Sequence, residues 1–195
     1  MKKESVMMPG IKIIYWKNEV TMFSYILLGS MIISQFKDPY NLKNSHKTKY
    51  AQEIILQANK NNVLPSEALA IAQTESGFNP KAYSHTKDVG LFQINCKWWY
   101  KKFKYRSIKS CERDLLNPTK NIKAGLYVLT YFRKNFKQCR GNLAYRCYNG
   151  GQGWYKSKNK NKIINYSNAV LRRKTKVEQH YGIFIQYYGR SYING

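Results

Sequence analysis

Apolar residues recur at helical spacing along most of this chain, whereas the strict alternation of a half-buried strand is nearly absent. Pro65 suits the first turn of a helix that we expect to end at Ser76. The pair Asn117-Pro118, a capping residue followed by proline, predicts another helix start. The spacing and these signals together predict helices over residues 48–62, 65–76, 98–105, from 117 through 136, 142–150 and 163–180. The sequence therefore predicts a mainly α domain.

Residues 77–96 interrupt this helical pattern. They lack a helical period and contain Gly77, Pro80 and Gly90, which are typical of turns. We expect a loop here, with at most a small hairpin.

Glu75 lies at the carboxyl end of the helix predicted over residues 65–76. Ala68, Ile71 and Ala72 precede it by seven, four and three residues, so they share its face of the helix. Apolar surroundings and the negative end of the helix dipole both disfavour a carboxylate, which raises its pKa. A carboxylic acid that keeps its proton near neutral pH can act as a general acid. The alternative is a side chain that turns out to solvent past Gly77.

The composition is strongly basic. The 195 residues carry a formal net charge of +24, and 43% are hydrophobic, which fits a globular domain. Residues 97–109 and 156–176 are rich in Lys and Arg and contain no acidic residue. This charge is compatible with nucleic acid, an anionic membrane or an anionic cell wall as partners. The codon bias of an AT-rich genome is the alternative explanation for the many lysines. Lysine far outnumbers arginine and no nucleic-acid module is recognised, so we expect no specific nucleic-acid partner.

The amino-terminal region has the pattern of an export signal. Lysines precede an apolar run from Val20 to Ile33, which is shorter than an ordinary membrane-spanning helix. We interpret residues 1–36 as a cleaved leader or a signal anchor and residues 37–47 as a linker; a buried core helix is the alternative. The protein is then exported to the periplasm or cell surface and meets the membrane only through this segment.

The chain has four cysteines, Cys96, Cys111, Cys139 and Cys147. None forms a C-x-x-C pair, so the spacing does not indicate a zinc site. Three disulfide pairings are open, of which the sequential one closes two short loops. Reduced thiols in a cytosolic core are the alternative, but the apolar leader favours disulfides.

Three ordered blocks resemble the active-site motifs of the soluble lytic transglycosylase family. They are Glu75 to Ser84 continued by Val89 to Asn95, then Asn117 to Gly125, then Ala144 to Gly151. The resemblance covers residues 48–172 and is closest to small members that serve type IV secretion, conjugation and invasion machines. It implies a lysozyme-like fold of the goose-type and transglycosylase kind. We assign this domain to residues 48–180 and no role to residues 181–195.

The resemblance also implies a reaction. These enzymes cleave the β-1,4 bond between MurNAc and GlcNAc in peptidoglycan and form 1,6-anhydroMurNAc, without a metal or other cofactor. Glu75 matches their single general acid and base. Ser84 matches the hydroxyl that orients the N-acetyl group, and Gln93 a substrate-binding amide. Tyr148 matches a phenol held near the acid, Asn149 matches the family residue beside that phenol, and we expect both to bind substrate.

The chain departs from the family pattern at Phe92, where methionine is usual, which bears on a sugar contact. A hydrolytic muramidase of the same fold is an alternative function, using Asp88 or a water held by Asn95. A wall-binding scaffold of a secretion or phage assembly is another, and a nucleic-acid binder is suggested by charge alone.

Overall fold

The structure, a computed structural model, describes the backbone of residues 3–8, 11–16 and 45–190 and the side chains of residues 47–179. The apolar run from Val20 to Ile33 lies outside the described residues. Strands β1 (Lys3–Met8) and β2 (Ile11–Trp16) form an antiparallel pair in which Lys3 is opposite Trp16. The sequence did not predict this pair, and it leaves the export interpretation untested.

Seven α-helices form the described domain. They are α1 (Ser45–Lys60), α2 (Pro65–Ser76), α3 (Cys96–Trp99), α4 (Ile108–Leu115), α5 (Pro118–Asn135), α6 (Leu143–Gly150) and α7 (Lys160–Arg190). Two short 3-10 helices, Lys137–Cys139 and Trp154–Lys156, flank α6. A hairpin of β3 (Asp88–Val89) and β4 (Ile94–Asn95) pairs Asp88 with Asn95 and Val89 with Ile94. The mainly α prediction with one small hairpin is confirmed for this domain.

Helix α2 is the central element of the core. Its first eight residues are buried, and it packs along α7 on one side and α1 on another. Gly77 ends the helix in the left-handed region, with φ 59°, and its N–H donates to the Gln73 carbonyl. The predicted bounds at Pro65 and Ser76 are those observed.

Three details differ from the sequence prediction. The helix predicted over residues 98–105 is wrong, because α3 covers only Cys96–Trp99 and Lys104 has a left-handed φ of 62°. Helix α1 begins at Ser45, inside the predicted linker. The last helix continues past residue 180 to Arg190, so it includes part of the segment left without a role.

Asn121, on α5, holds the hairpin against the helices. Its Oδ1 accepts from the Phe92 N–H at 2.8 Å, and its Nδ2 donates to the carbonyls of Val89 at 2.8 Å and Leu115 at 2.9 Å. Asn121 is fully buried, so it satisfies three backbone groups that water cannot reach. A Cβ at Gly90 would lie 2.4 Å from Asn121 Nδ2, which explains the glycine.

Phe92 belongs to this core and not to the surface of a cleft. Its side chain is 0% exposed and lies so close to Gly125 that a Cβ there would be 2.3 Å from the ring. The expectation that Phe92 bears on a sugar contact is therefore wrong for its side chain.

Two disulfides, Cys96–Cys111 and Cys139–Cys147, follow the sequential pairing. The first joins α3 to α4, and the second joins a 3-10 helix to α6. Within the described ranges, no helix combines the length and apolar character needed to cross a bilayer.

Replacing Asn121 with alanine is expected to lower the free energy of unfolding by about 3 kcal/mol, because buried backbone groups lose their partners. Urea denaturation measures the change. Asn135→Ala is the matched control, since this exposed residue of the same helix bonds only the Tyr131 carbonyl; its effect should stay within about 0.5 kcal/mol. Equal losses in the two variants would contradict the bracing role of Asn121.

Candidate active site

Glu75 lies in the last turn of α2, where that helix packs on α7. Its side chain is half-buried, so the carboxyl is screened from bulk water but remains reachable. Tyr166, on α7, donates its hydroxyl to Glu75 Oε1 at 2.5 Å. The alternative in which Glu75 turns freely into solvent is therefore wrong.

The surroundings of Glu75 favour its neutral form. The pKa of Glu75 is raised from 4.5 to about 8, mainly by burial and to a smaller extent by the negative charge of Asp88. The hydrogen bond from Tyr166 acts in the opposite direction, because it stabilises the carboxylate. A carboxyl with this pKa holds its proton at neutral pH and can still release it.

Two phenols flank the acid. Tyr148, on α6, donates its hydroxyl to the Phe92 carbonyl at 2.8 Å. Burial and the charges of Glu75 and Asp88 hold the pKa of Tyr148 well above its usual value, and burial beside Glu75 does the same for Tyr166. The phenol that bonds Glu75 is thus Tyr166, which lies outside the three motif blocks. The sequence signal that could have identified Tyr166 was a tyrosine hydroxyl on the otherwise apolar, inward-facing side of the last helix.

The hairpin brings a polar network to the same region. Ser84 Oγ lies 2.8 Å from Asp88 Oδ2 and accepts from the Asp88 N–H at 2.9 Å. Thr86 donates its hydroxyl to the same carboxylate oxygen. Asn95 Nδ2 donates to Asp88 Oδ1 at 2.7 Å and to the Thr86 carbonyl at 3.0 Å. These hydrogen bonds thus fix the Asp88 carboxylate near Glu75, and Asp88 is not a freely solvated loop residue.

Gln93 and Asn149 have different surroundings. Gln93 Nε2 donates to the carbonyls of Gly90 at 2.9 Å and Ala82 at 3.2 Å. Its backbone is left-handed, with φ 45°, a region that non-glycine residues seldom adopt. Asn149 is exposed near the end of α6, and its side chain makes no hydrogen bond to the described residues. The structure ties Gln93 to the loop that carries Ser84, but it leaves Asn149 outside the network.

The arrangement can donate a proton and take it back. A neutral acid lies beside a phenol that stabilises its anion, and a second, fixed carboxylate lies near it. Across the described residues, no group of three or more His, Cys, Asp or Glu side chains is placed to hold a metal ion.

The chain matches the Transglycosylase SLT domain over residues 52–169 and belongs to that family. Two solved structures share its fold: an inactive mutant of lytic transglycosylase Slt from Pseudomonas aeruginosa and the soluble lytic transglycosylase SLT70 from Escherichia coli. The first has a TM-score of 0.57 and 21% identity over 85% of this chain and 31% of the other. The second has a TM-score of 0.53 and 21% identity over 82% of this chain and 28% of the other. The fold is therefore the lysozyme-like fold that the sequence predicted.

Curated relatives agree with this assignment. The chain is 33% identical over 140 residues to membrane-bound lytic murein transglycosylase C of Yersinia enterocolitica, which covers 66% of this chain and 38% of the relative. It is 33% identical over 120 residues to the protein of the same name from Yersinia pestis strain Pestoides F, covering 57% of this chain and 33% of the relative. The chain thus spans well under half the length of these relatives.

We expect Glu75→Gln to stabilise the folded protein more strongly as the pH rises. Below pH 4.5 both the folded and the unfolded wild type hold the proton. Between pH 4.5 and about 8 only the folded state keeps it, so wild-type stability falls through that window. Glutamine cannot ionise and can still accept from Tyr166. Denaturation of both proteins from pH 4 to 9 should show a gap that widens by on the order of a few kcal/mol. A gap that stays constant would contradict a desolvated Glu75.

Tyr166→Phe should raise the pKa of Glu75 above about 8, because it removes the hydrogen bond that stabilises the carboxylate. Titration of the Glu75 carboxyl by ¹³C NMR measures the shift directly. Tyr127→Phe, on an exposed part of α5, is the control and should leave that titration unchanged. A lower pKa in Tyr166→Phe would show that the bond does not favour the charged form.

Proposed function

We propose that this protein is a peptidoglycan lytic transglycosylase that cleaves the MurNAc-GlcNAc β-1,4 bond and forms 1,6-anhydroMurNAc. The observation that supports it most is the carboxyl of Glu75, whose pKa is raised to about 8 by burial and which receives a hydrogen bond from Tyr166. Membership of the SLT family and relatives named lytic murein transglycosylases support the same activity.

In the first step Glu75 acts as the general acid. Its proton passes to the oxygen of the glycosidic bond, that bond breaks, and the GlcNAc side leaves as an alcohol. The positive charge left on the MurNAc ring is supported by the N-acetyl group of the same sugar. The carboxylate formed on Glu75 keeps the Tyr166 hydrogen bond, which limits the cost of a buried anion.

In the second step Glu75 acts as the base. The carboxylate removes the proton of the 6-hydroxyl on the MurNAc residue, and the oxygen closes the 1,6-anhydro ring. Glu75 regains the proton it gave away, no water is consumed, and the acid is ready for another cycle. A pKa near 8 suits both roles, because neither protonation state is far out of reach.

The remaining predicted site residues take supporting roles in this proposal. Ser84 orients the N-acetyl group and Gln93 binds the sugar through its amide oxygen, since its amide protons are donated to carbonyls. Tyr148 binds substrate near Glu75, with its own hydroxyl donated to the Phe92 carbonyl. Asn149 contacts the substrate at the exposed end of α6.

A hydrolytic muramidase would use Asp88 or a water held by Asn95. Asp88 already accepts from Ser84, Thr86 and Asn95, and both amide protons of Asn95 are donated inside the hairpin. Because Asp88 and Asn95 are already held by these hydrogen bonds, the arrangement favours the reaction in which Glu75 is the single acid and base.

We further propose that the protein acts in the cell envelope, exported to the periplasm or cell surface, with glycan strands of peptidoglycan as its partner. The relatives are named membrane-bound lytic murein transglycosylases, which supports an envelope location. Service to a secretion, conjugation or phage assembly rests on the resemblance of the sequence motifs alone.

Digestion of purified sacculi tests the reaction. Wild type should release muropeptides that carry the 1,6-anhydro end, identified by mass, and the rate should fall above about pH 8 as Glu75 loses its proton. Glu75→Gln should lower the rate by several orders of magnitude while it still binds sacculi.

Glu53→Gln is the matched control, because Glu53 lies on α1 and contacts Gln57. Its digestion rate should equal that of wild type. Reducing ends in place of anhydro ends would indicate a hydrolase, and unchanged digestion by Glu75→Gln would remove Glu75 from the chemistry.

A further inference from the structure

The Ser84 hydroxyl has one proton and two acceptor positions. One acceptor position receives the Asp88 N–H at 2.9 Å. The Ser84 Oγ atom lies 2.8 Å from both Asp88 Oδ2 and Thr86 Oγ1. Thr86 donates its own proton to Asp88 Oδ2, and Ser84 donates its proton to the same carboxylate oxygen. One acceptor position of Ser84 is all that remains for a ligand.

Asp88 fixes this arrangement because it can only accept when ionised. Asn95 holds its other oxygen at 2.7 Å, so the carboxylate is fixed from both sides. Lys97 N–H donates to Asn95 Oδ1, which fixes the orientation of that amide in turn. In the described part of the chain no Lys or Arg forms an ion pair with Asp88, whose described partners there are neutral donors.

We propose that Asp88 is a positioning residue: it commits the hydroxyl proton of Ser84, so that Ser84 meets the substrate only as an acceptor and selects a sugar carrying an acetamido N–H. This inference rests on the proposed function, because it places the N-acetyl group of the substrate at Ser84. A hydroxyl free to rotate could instead donate to any sugar oxygen, and it would not distinguish an acetamido group from a hydroxyl.

The charge of Asp88 predicts a second, independent effect, which is on the ionisation of Glu75. The titratable groups that face Glu75 are Tyr166 from α7, Tyr148 from α6 and Asp88 from the hairpin, and Asp88 is the anion among them. Removing this charge makes Glu75 easier to ionise, whereas removing the Ser84 hydroxyl leaves the charge in place.

A double-mutant cycle with Asp88→Asn and Ser84→Ala tests the proposal. Calorimetry measures binding of chitotetraose and of cellotetraose, which carries a hydroxyl where chitotetraose carries the acetamido group. Each single variant should weaken chitotetraose binding by about tenfold and reduce its preference over cellotetraose, because one hydrogen bond is lost. The double variant should bind no more weakly than either single variant, since both act through the same contact.

The pH dependence of sacculus digestion separates the two residues. Asp88→Asn should move the alkaline fall in rate to lower pH, and Ser84→Ala should leave it where it is in wild type. Asp114→Asn is the control for charge, because Asp114 is held by Lys120 and Tyr105 and contacts neither Glu75 nor Ser84. It should change neither chitotetraose binding nor the pH profile.

Additive losses in the cycle, or a chitotetraose preference that survives both substitutions, would overturn the proposal. Loss of cleavage by several orders of magnitude in Asp88→Asn, together with reducing ends from wild type, would instead make Asp88 a second reacting carboxylate. If wild type binds chitotetraose but leaves sacculi intact, the proposed function fails while the binding cycle still decides the role of Asp88.

Discussion

The desolvation of one carboxyl group, Glu75, governs the chemistry available to this protein. Helix α2 is buried over its first eight residues and packs along α7, so the half-buried carboxyl in its last turn is screened from bulk water. A carboxylate there lacks most of its hydration and faces the negative end of its own helix. Tyr166 returns part of the lost stabilisation through one short hydrogen bond. The balance leaves an acid that is neutral at physiological pH and whose anion is still accessible.

A second carboxylate on the same helix shows how this setting differs from ordinary burial. Glu67, in the first turn of α2, is buried but accepts from both terminal nitrogens of Arg133 and from the Tyr145 hydroxyl at 2.6 Å. Its charge is matched by a cation and lies at the favourable end of the helix dipole. Glu75, by contrast, accepts from the Tyr166 hydroxyl and has the negative charge of Asp88 nearby in place of a cation. Pairing makes Glu67 a structural link between α2, α5 and α6, and the absence of a described cation at Glu75 leaves its proton available.

The hairpin is the part of the fold that must be placed against these helices for the site to exist. Asn121 binds its backbone at Val89 and Phe92, and Gly90 and Gly125 allow the close approach. The same loop carries Ser84, Asp88 and Gln93, and the Cys96–Cys111 disulfide closes the segment that follows it. Residues of the second motif block, Asn117 to Gly125, therefore support the site without lying in it. Their spacing of four residues puts Asn121 and Gly125 on one face of α5.

The sequence by itself determined most of the helices, the bounds of α2 and the turn at Gly77, and it singled out Glu75 as the candidate acid, because helical spacing and turn residues are local properties. It also identified the family, since three motif blocks occur in order. It could not show that Tyr166 bonds Glu75, as the two are 91 residues apart, or that Asp88 is bound by Ser84, Thr86 and Asn95 and not solvated. It misjudged α3, which ends at Trp99 and is followed by a turn at left-handed Lys104. Contacts between distant segments depend on how helices pack, and only the tertiary structure decides which polar groups meet in the space that remains.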